Sequence, residues 1–367
     1  MKKTASLLAI LIAAYGTALS AEPTPQSILA TMKKVADWQL AQPPTKPQTD
    51  DWTYGALYAG MMAWAGISDS PKYRDAMLEM GKTHSWKPAT RKGGSGLYDA
   101  DDHCVSQTYL ELYLKDKDAE MIKPTKERFD YILANPATNS LQFSRDARAR
   151  WAWCDAIFMG PPAWIRMYAA TGDKKYLAFM DSEFWKTSDF LYDKDEHLYF
   201  RDSTYFEKRE ANGKKIFWSR GNGWVLAGLA RVLQYLPADF PHRKQYEHQF
   251  KEIAAKTASL QQPDGLWRPS LLDPVSYPLK ETSGSGFYTF GLAWGINHGL
   301  LERQKYEPVV LKGWKALVEC VNADGKLEHV QPVGADPKKF DPEHTEVFGV
   351  GAFLLAGSEM YRLRGGK

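Results

Sequence analysis

Twelve stretches of helical periodicity run along this chain, and they alternate strictly between two kinds. The first kind, at about 26–41, 70–83, 118–134, 175–190, 242–261 and 305–321, carries Lys and Glu on one face and apolar residues on the other. Helices with one solvated side have this pattern. The second kind, at about 53–66, 103–115, 152–171, 221–236, 285–300 and 346–363, crowds Ala, Gly, Met, Trp and Leu together, as in YGALYAGMMAWAG and FYTFGLAWGINHGLL. Such segments are expected to be buried on most sides. Six polar-faced helices alternating with six buried ones predict an all-α (α/α)6 barrel, a toroid of six helical hairpins. Long polar and aromatic connections at 86–102, 136–151, 192–218, 263–284 and 323–345 each precede a buried helix, so they are expected to meet at one mouth of the barrel. A short hairpin is expected within 197–216, where HLYFRD and KKIFWSR flank a turn at Ala211, Asn212 and Gly213.

The start of the chain is set apart from this pattern. Lys2 and Lys3 precede an apolar run and then small residues near Ser20 and Ala21, which predicts a signal peptide over 1–21 and export, with the periplasm as the expected compartment. That run is too short for a bilayer span, and no later stretch is long enough. Composition stays even over 22–367, with no linker, so a single catalytic domain is expected there. Without Lys2 and Lys3, the 47 basic residues become 45 against 44 acidic ones. A balance so close to neutral gives no support to a nucleic-acid or anionic-membrane partner. The 13 Trp and 19 Tyr fit sugar-stacking surfaces, and they equally fit a barrel core. Cys104 and Cys154 stand at comparable places in successive helical units, which allows one bridge; buried free thiols are the competing expectation. The sequence sets no oligomeric state.

If the connections converge, the residues that open each buried helix share a cavity. They include Asp51 to Tyr54, Asp99 to His103, Trp151 to Asp155, Trp218 to Trp224, Glu281 to Ser285 and His344 to Glu346. Asp and Ser at helix starts commonly serve as caps, and that reading competes for Asp99, Asp101 and Ser283. Asp155 differs, because Trp151, Trp153 and the run Ala-Ile-Phe-Met surround it. Burial in such a turn is expected to favour the protonated acid, as a proton donor needs. Arg220, in Arg-Gly-Asn-Gly-Trp, is expected to pair with Trp224 and to hold a sugar carboxylate, with a plain salt bridge as the competing reading. No His or Cys spacing suits zinc, no Gly-rich loop suits a nucleotide and no Gly-x-Ser-x-Gly elbow is present, so neither a metal nor another cofactor is expected.

Trp-Cys-Asp-Ala-Ile-Phe-Met at 153–159, Trp-Ser-Arg-Gly-Asn-Gly-Trp at 218–224, Glu-Thr-Ser-Gly-Ser at 281–285 and Gly-Val-Gly-Ala-Phe-Leu-Leu-Ala-Gly-Ser-Glu at 349–359 resemble the unsaturated rhamnogalacturonyl hydrolases. These form family 105 of the glycoside hydrolases, related to the unsaturated glucuronyl hydrolases of family 88. The resemblance runs in order through essentially the whole chain after the leader. It implies an (α/α)6 barrel and removal of a 4,5-unsaturated uronic acid from the non-reducing end of polysaccharide-lyase products. An Asp protonates C4 of the enol ether and water adds at C5, without metal or cofactor. By position, Asp155 matches that acid. The second catalytic aspartate falls in the Asp101-Asp102 pair, which the resemblance does not separate; Asp102 is the first choice, with Asp101 then beside the substrate. Tyr54, Trp153, Arg220 and Trp224 match positions lining the unsaturated sugar. Where many relatives have a histidine, this chain has Arg201, expected to contact the substrate carboxylate. The arginine-rich stretch Arg145 to Arg150 is a second departure. Rhamnose-linked pectin fragments are the default substrate, with arabinogalactan-derived and sulfated fragments open. A sugar epimerase, an ordinary glycosidase and a non-catalytic glycan-binding protein are the alternatives.

Overall fold

The structure is a computed structural model that describes residues 22–46, 48–90, 96–144 and 146–366. The expected signal peptide lies outside these residues. In chain order the helices are α1 (Pro25–Ala41), α2 (Trp52–Ala65), α3 (Lys72–Thr83), α4 (Ala100–His103), α5 (Ser106–Asp116), α6 (Lys123–Ala134), α7 (Ala156–Met159), α8 (Pro161–Thr171), α9 (Lys174–Leu191), α10 (Ser219–Leu233), α11 (Arg243–Ser259), α12 (Thr282–Asn297), α13 (Arg303–Val318) and α14 (Val347–Leu363). All six polar-faced helices form, as α1, α3, α6, α9, α11 and α13. They make the outer ring, each burying one stripe: Met32 and Val35 in α1, Tyr246, Phe250 and Ile253 in α11. Among the described residues, no helix is long and apolar enough to cross a membrane.

The inner helices are buried nearly throughout; every residue of α10 and all but Asn297 of α12 are shielded from solvent. They pack in sequence, α2 on α5, α5 on α8, α7 and α8 on α10, α10 on α12 and α12 on α14, and α14 returns to α2 to close the ring. That closing contact brings two backbones together. A Cβ on Gly60 or Gly351 would run into the facing helix, at the carbonyl of Gly351 or of Ala56 respectively, so only glycine permits the approach. The (α/α)6 barrel is therefore formed as its alternation predicts.

Two inner helices are broken where the pattern predicts continuity. The segment expected at 103–115 is split into α4 and α5 by a turn at Cys104 and Val105, tightened by i to i+3 bonds such as Gln107 N to Cys104 O (3.2 Å). The segment expected at 152–171 is split into α7 and α8 at Gly160, since Pro161 and Pro162 suit only the first turn of a new helix. The one-turn pieces α4 and α7 pack against each other at the open mouth. The expected hairpin is also redistributed. β2 (Leu198–Tyr199) pairs backward with β1 (Tyr192–Asp193), and the turn around Asn212 is closed separately by an Arg209–Lys215 bridge, with Gly213 at φ +79°. Asn222 explains the choice: its side chain accepts from Tyr199 N (2.7 Å) and donates to Tyr199 O (3.0 Å), holding that stretch against α10.

All six connections from an outer to an inner helix lie at one mouth. Among the described residues, six non-glycine positions have positive φ, and five of them, Ser85, Trp86, Trp151, His197 and His329, are in these connections. Backbone strain of that kind gathers where a surrounding structure holds it for a purpose.

Candidate active site

The helix starts at the open mouth divide the acidic residues by task. Asp51 caps α2, accepting from Thr53 N (3.0 Å), and Asp99 caps α4, accepting from Asp101 N (3.1 Å). At α12 the cap is Glu281, which takes the amides of Ser283 and Gly284 (3.0 and 2.7 Å), so Ser283 is not the cap. Asp155 stands at the N-cap position of α7 yet makes no capping bond. Its carboxylate is thus left for another use.

Asp155 is almost entirely buried, with 12% of its side chain exposed. Its Oδ2 accepts from the Cys154 thiol (3.5 Å) and faces Arg201 Nε at 3.7 Å. Burial, and then the charge of Asp155, raise the Cys154 pKa well above the thiol range, so the sulfur keeps the proton it donates. Arg201 is not locked to Asp155. Its shorter contact runs from Nη1 to Asp202 (2.6 Å), its guanidinium lies 4.8 Å from the Phe143 ring, and Nη2 makes no hydrogen bond among the described residues. Burial opposes its charge, but Asp155 and Asp202 outweigh that and raise its pKa. Asp155 Oδ1 takes no hydrogen bond among the described residues and is not buried, so one oxygen is fixed and the other is open.

The second acidic group sits on α4. Arg148 spans two of its members, giving Nε to Asp99 (2.7 Å) and Nη2 to Asp101 (2.5 Å), while its guanidinium carbon lies over the Trp153 ring at 4.2 Å. Burial works against that cation, but Asp101 and Asp99 outweigh it and raise its pKa. Asp102 is completely buried one residue further on. Asp101 is therefore an ion-pair partner and not a cap. Arg148 is the residue of this mouth that sequence reasoning passed over; its signal was the arginine-rich stretch 145–150, noted as a departure without a role.

Other expectations need correction. Arg220 does not present its fork to the cavity. It is fully buried between the rings of Trp218 (4.4 Å) and Phe348 (4.8 Å), and it donates to the carbonyls of Gln331 (2.6 Å) and Pro332 (2.8 Å). It pins the 323–345 connection instead, aided by Trp218 Nε1 on Gln331 Oε1 (3.0 Å). Burial lowers its pKa against the charges of Glu281, Asp155 and Glu346. Neither the expected ring partner nor the salt bridge is found, because α10 already starts at Ser219 and carries Trp224 a turn deeper. Trp224 is enclosed by Phe287 (4.2 Å), Phe158 (4.8 Å) and Phe348 (6.2 Å), a core residue with no face for a sugar. Tyr54 and Trp153 do reach the mouth region, buried; the Tyr54 hydroxyl accepts from Thr45 N (2.9 Å), and Trp153 lies beneath Arg148. The cysteine bridge is absent: Cys104, Cys154 and Cys320 are buried and form no disulfide, with Cys104 packed on Gly55 and Cys154 on Gly221 of a different helix.

A carboxylate with one open oxygen, facing an arginine whose guanidinium lies over a ring, is suited to giving a proton to an anionic sugar. Comparisons with known proteins point the same way. An unsaturated 3S-rhamnoglycuronyl hydrolase of Formosa agariphila is 40% identical, covering 99% of this chain and 100% of its own. A solved structure of a glycosyl hydrolase of family 88 from Bacteroides vulgatus superposes with a TM-score of 0.84 at 33% identity, over 93% of this chain and 100% of that one. Another solved structure, named a polysaccharide lyase, gives 0.83 at 33% identity over 92% and 97%. The profile of Glycosyl Hydrolase Family 88 matches residues 28–364. With that match spanning the whole barrel, this chain is a glycoside hydrolase and belongs to Glycosyl Hydrolase Family 88.

Proposed function

We propose that this hydrolase removes a 4,5-unsaturated uronic acid from the non-reducing end of oligosaccharides released by a polysaccharide lyase, with Asp155 as the proton donor. The observation that carries the reading is the asymmetry of the Asp155 carboxyl: Oδ2 is held by Cys154 and Arg201, and Oδ1 is open. In its acid form Asp155 gives the Oδ1 proton to C4 of the enol ether. Positive charge then develops at C5 and the ring oxygen. Water adds its oxygen to C5 and returns a proton to Asp155, restoring the acid. The hemiketal so formed opens to a C5 ketone, the ring oxygen becomes a hydroxyl on C1, and that hemiacetal collapses to an aldehyde and the freed alcohol of the next sugar. The reaction does not use two opposed carboxylates at an anomeric carbon, so the spacing rules for retaining and inverting enzymes do not apply.

Arg201 meets the uronate through Nη2, and Asp102 is the second carboxylate of the site, with Asp101 set by Arg148. The name of the Formosa agariphila relative supports a sulfated rhamnose as the neighbouring sugar. Export to the periplasm rests on the leader-like residues 1–21, and residues 22–367 act as a single catalytic domain.

The test is the ultraviolet absorbance of the conjugated enol carboxylate in lyase digests of sulfated-rhamnose, pectic and glycosaminoglycan polymers. A fall on adding enzyme, abolished in Asp155→Asn, is the expected result. A rise on intact polymer is what the lyase named among the similar structures would give, and it would overturn the reading. An unchanged absorbance with altered sugar stereochemistry would indicate an epimerase.

A further inference from the structure

At the mouth opposite the candidate site, the ends of α2, α5, α10 and α14 surround a cavity of about 380 Å³. That volume falls within the range of small-molecule sites, roughly 300–1,000 Å³. The buried guanidinium of Arg231 lines it, and a second buried guanidinium, that of Arg166, lies behind the wall. Arg166 gives Nε to Glu111 Oε1 (2.8 Å), Nη1 to the carbonyls of Pro162 and Arg231, and Nη2 to Gln234 Oε1 (3.2 Å), so each of its three nitrogens is bonded. Arg231 gives Nε to Gln107 Oε1 (2.8 Å) and Nη2 to the same Glu111 oxygen (2.8 Å). Its Nη1 makes no hydrogen bond among the described residues. One carboxylate therefore serves two buried cations.

The other carboxylate at this cavity is already committed. Glu359 accepts from Arg362 Nη1 (2.5 Å) and Asn297 Nδ2 (2.8 Å). Lys115 adds an exposed cation at the rim. Four cationic side chains thus stand in or behind the wall against two carboxylates. A buried charge without a partner is costly, and burial together with Arg166 pushes the Arg231 pKa down to about 10. The C-terminal carbonyls of the inner helices supply part of the balancing negative charge.

We propose that this cavity is a second binding site, which takes a small oxyanion on Arg231, with Lys115 and Arg362 at its rim. A guanidinium with an uncommitted amino group suits sulfate and carboxylate oxygens alike, and the cavity has room for an ion carrying a sugar-sized body. The site does not depend on the reaction proposed at the other mouth.

Thermal unfolding of the full chain, followed against sodium sulfate and against sodium glucuronate at ionic strength fixed with sodium chloride, tests this. The expected result is a saturable rise in Tm of about 1–3 °C. It should persist in Asp155→Asn and vanish in Arg231→Gln. Lys115→Ala alters an exposed side chain, and should fold normally while raising the half-saturating concentration several-fold. A response to sulfate alone identifies an inorganic ion, and one to glucuronate alone a sugar acid. A response to neither, or one unchanged in both Arg231→Gln and Lys115→Ala, would overturn the proposal.

Discussion

The two mouths of this barrel are opposite ends of one double ring of helices and behave as opposites. At the open mouth the connections 84–99, 135–155, 192–218, 260–281 and 319–346 are long, five of the positive-φ non-glycine residues are found there, and single arginines bridge acids, Arg148 holding Asp99 and Asp101 and Arg201 lying between Asp155 and Asp202. At the closed mouth the connections are short, such as the Gly172 and Asp173 link, and the arrangement inverts, with Arg166 and Arg231 sharing the single carboxylate of Glu111. The open oxygen of Asp155 suits proton delivery, and Nη1 of Arg231, unbonded among the described residues, suits an anion. The contrast shows how one scaffold confines chemistry to the end where its connections can grow, since inner helices joined by short turns leave little backbone to rearrange.

That contrast makes separable predictions. The largest effect belongs to the open mouth: Asp155→Asn should lower kcat/KM by about 10²–10⁴-fold, as loss of a general acid does, with thermal stability nearly unchanged. Retained turnover of the unsaturated substrate would remove the functional distinction between the two ends. Glu111→Gln should do the reverse. Leaving two buried guanidiniums without their carboxylate is expected to cost about 3–5 kcal/mol in urea unfolding, while turnover per folded molecule stays level. Burial pushes the Glu111 pKa up, but Arg166 and Arg231 outweigh it and lower the folded value. The stability it contributes is therefore present above the unfolded carboxylate pKa and is lost as pH falls through the folded one.

His103 sharpens the comparison from the core behind α4. Burial, and then Arg128, lower its pKa from 6.5 to about 4, so the neutral ring is stabilising above pH 6.5 and that contribution declines as pH falls toward 4. The loss at pH 4 should be about 3 kcal/mol, measured by urea unfolding at pH 7 and pH 4, and it should shrink in His103→Gln. The smallest effect is expected from Cys154→Ala, which removes one sulfur hydrogen bond from Asp155 Oδ2. In steady-state assays kcat should fall by less than about tenfold, because Arg201 still faces that oxygen at 3.7 Å. A kcat that does not move would leave Cys154 as packing alone.

Much of this was legible in the residues. Asp155 stood out because an acid among Trp151, Trp153 and Phe158 has no cheap structural reason to be there, and it carries no capping bond. Arg220 misled for a physical reason. A buried arginine beside two glycines reads the same whether its fork meets a ligand or the carbonyls of residues 331 and 332, which lie more than 100 positions away. Trp224 failed similarly, since aromatic excess cannot separate a sugar platform from a ring packed on Phe158 and Phe287.

By itself the sequence determined the alternation of half-solvated and buried helices, hence the toroid and the mouth at which its long connections meet, because burial periodicity is a local property written every few residues. Only the tertiary structure decided which charges find each other: Arg148 with Asp99 and Asp101, Arg201 between Asp155 and Asp202, Arg166 and Arg231 on Glu111. Electrostatic partnership depends on distance and burial, and neither is fixed until segments far apart along the chain have packed together.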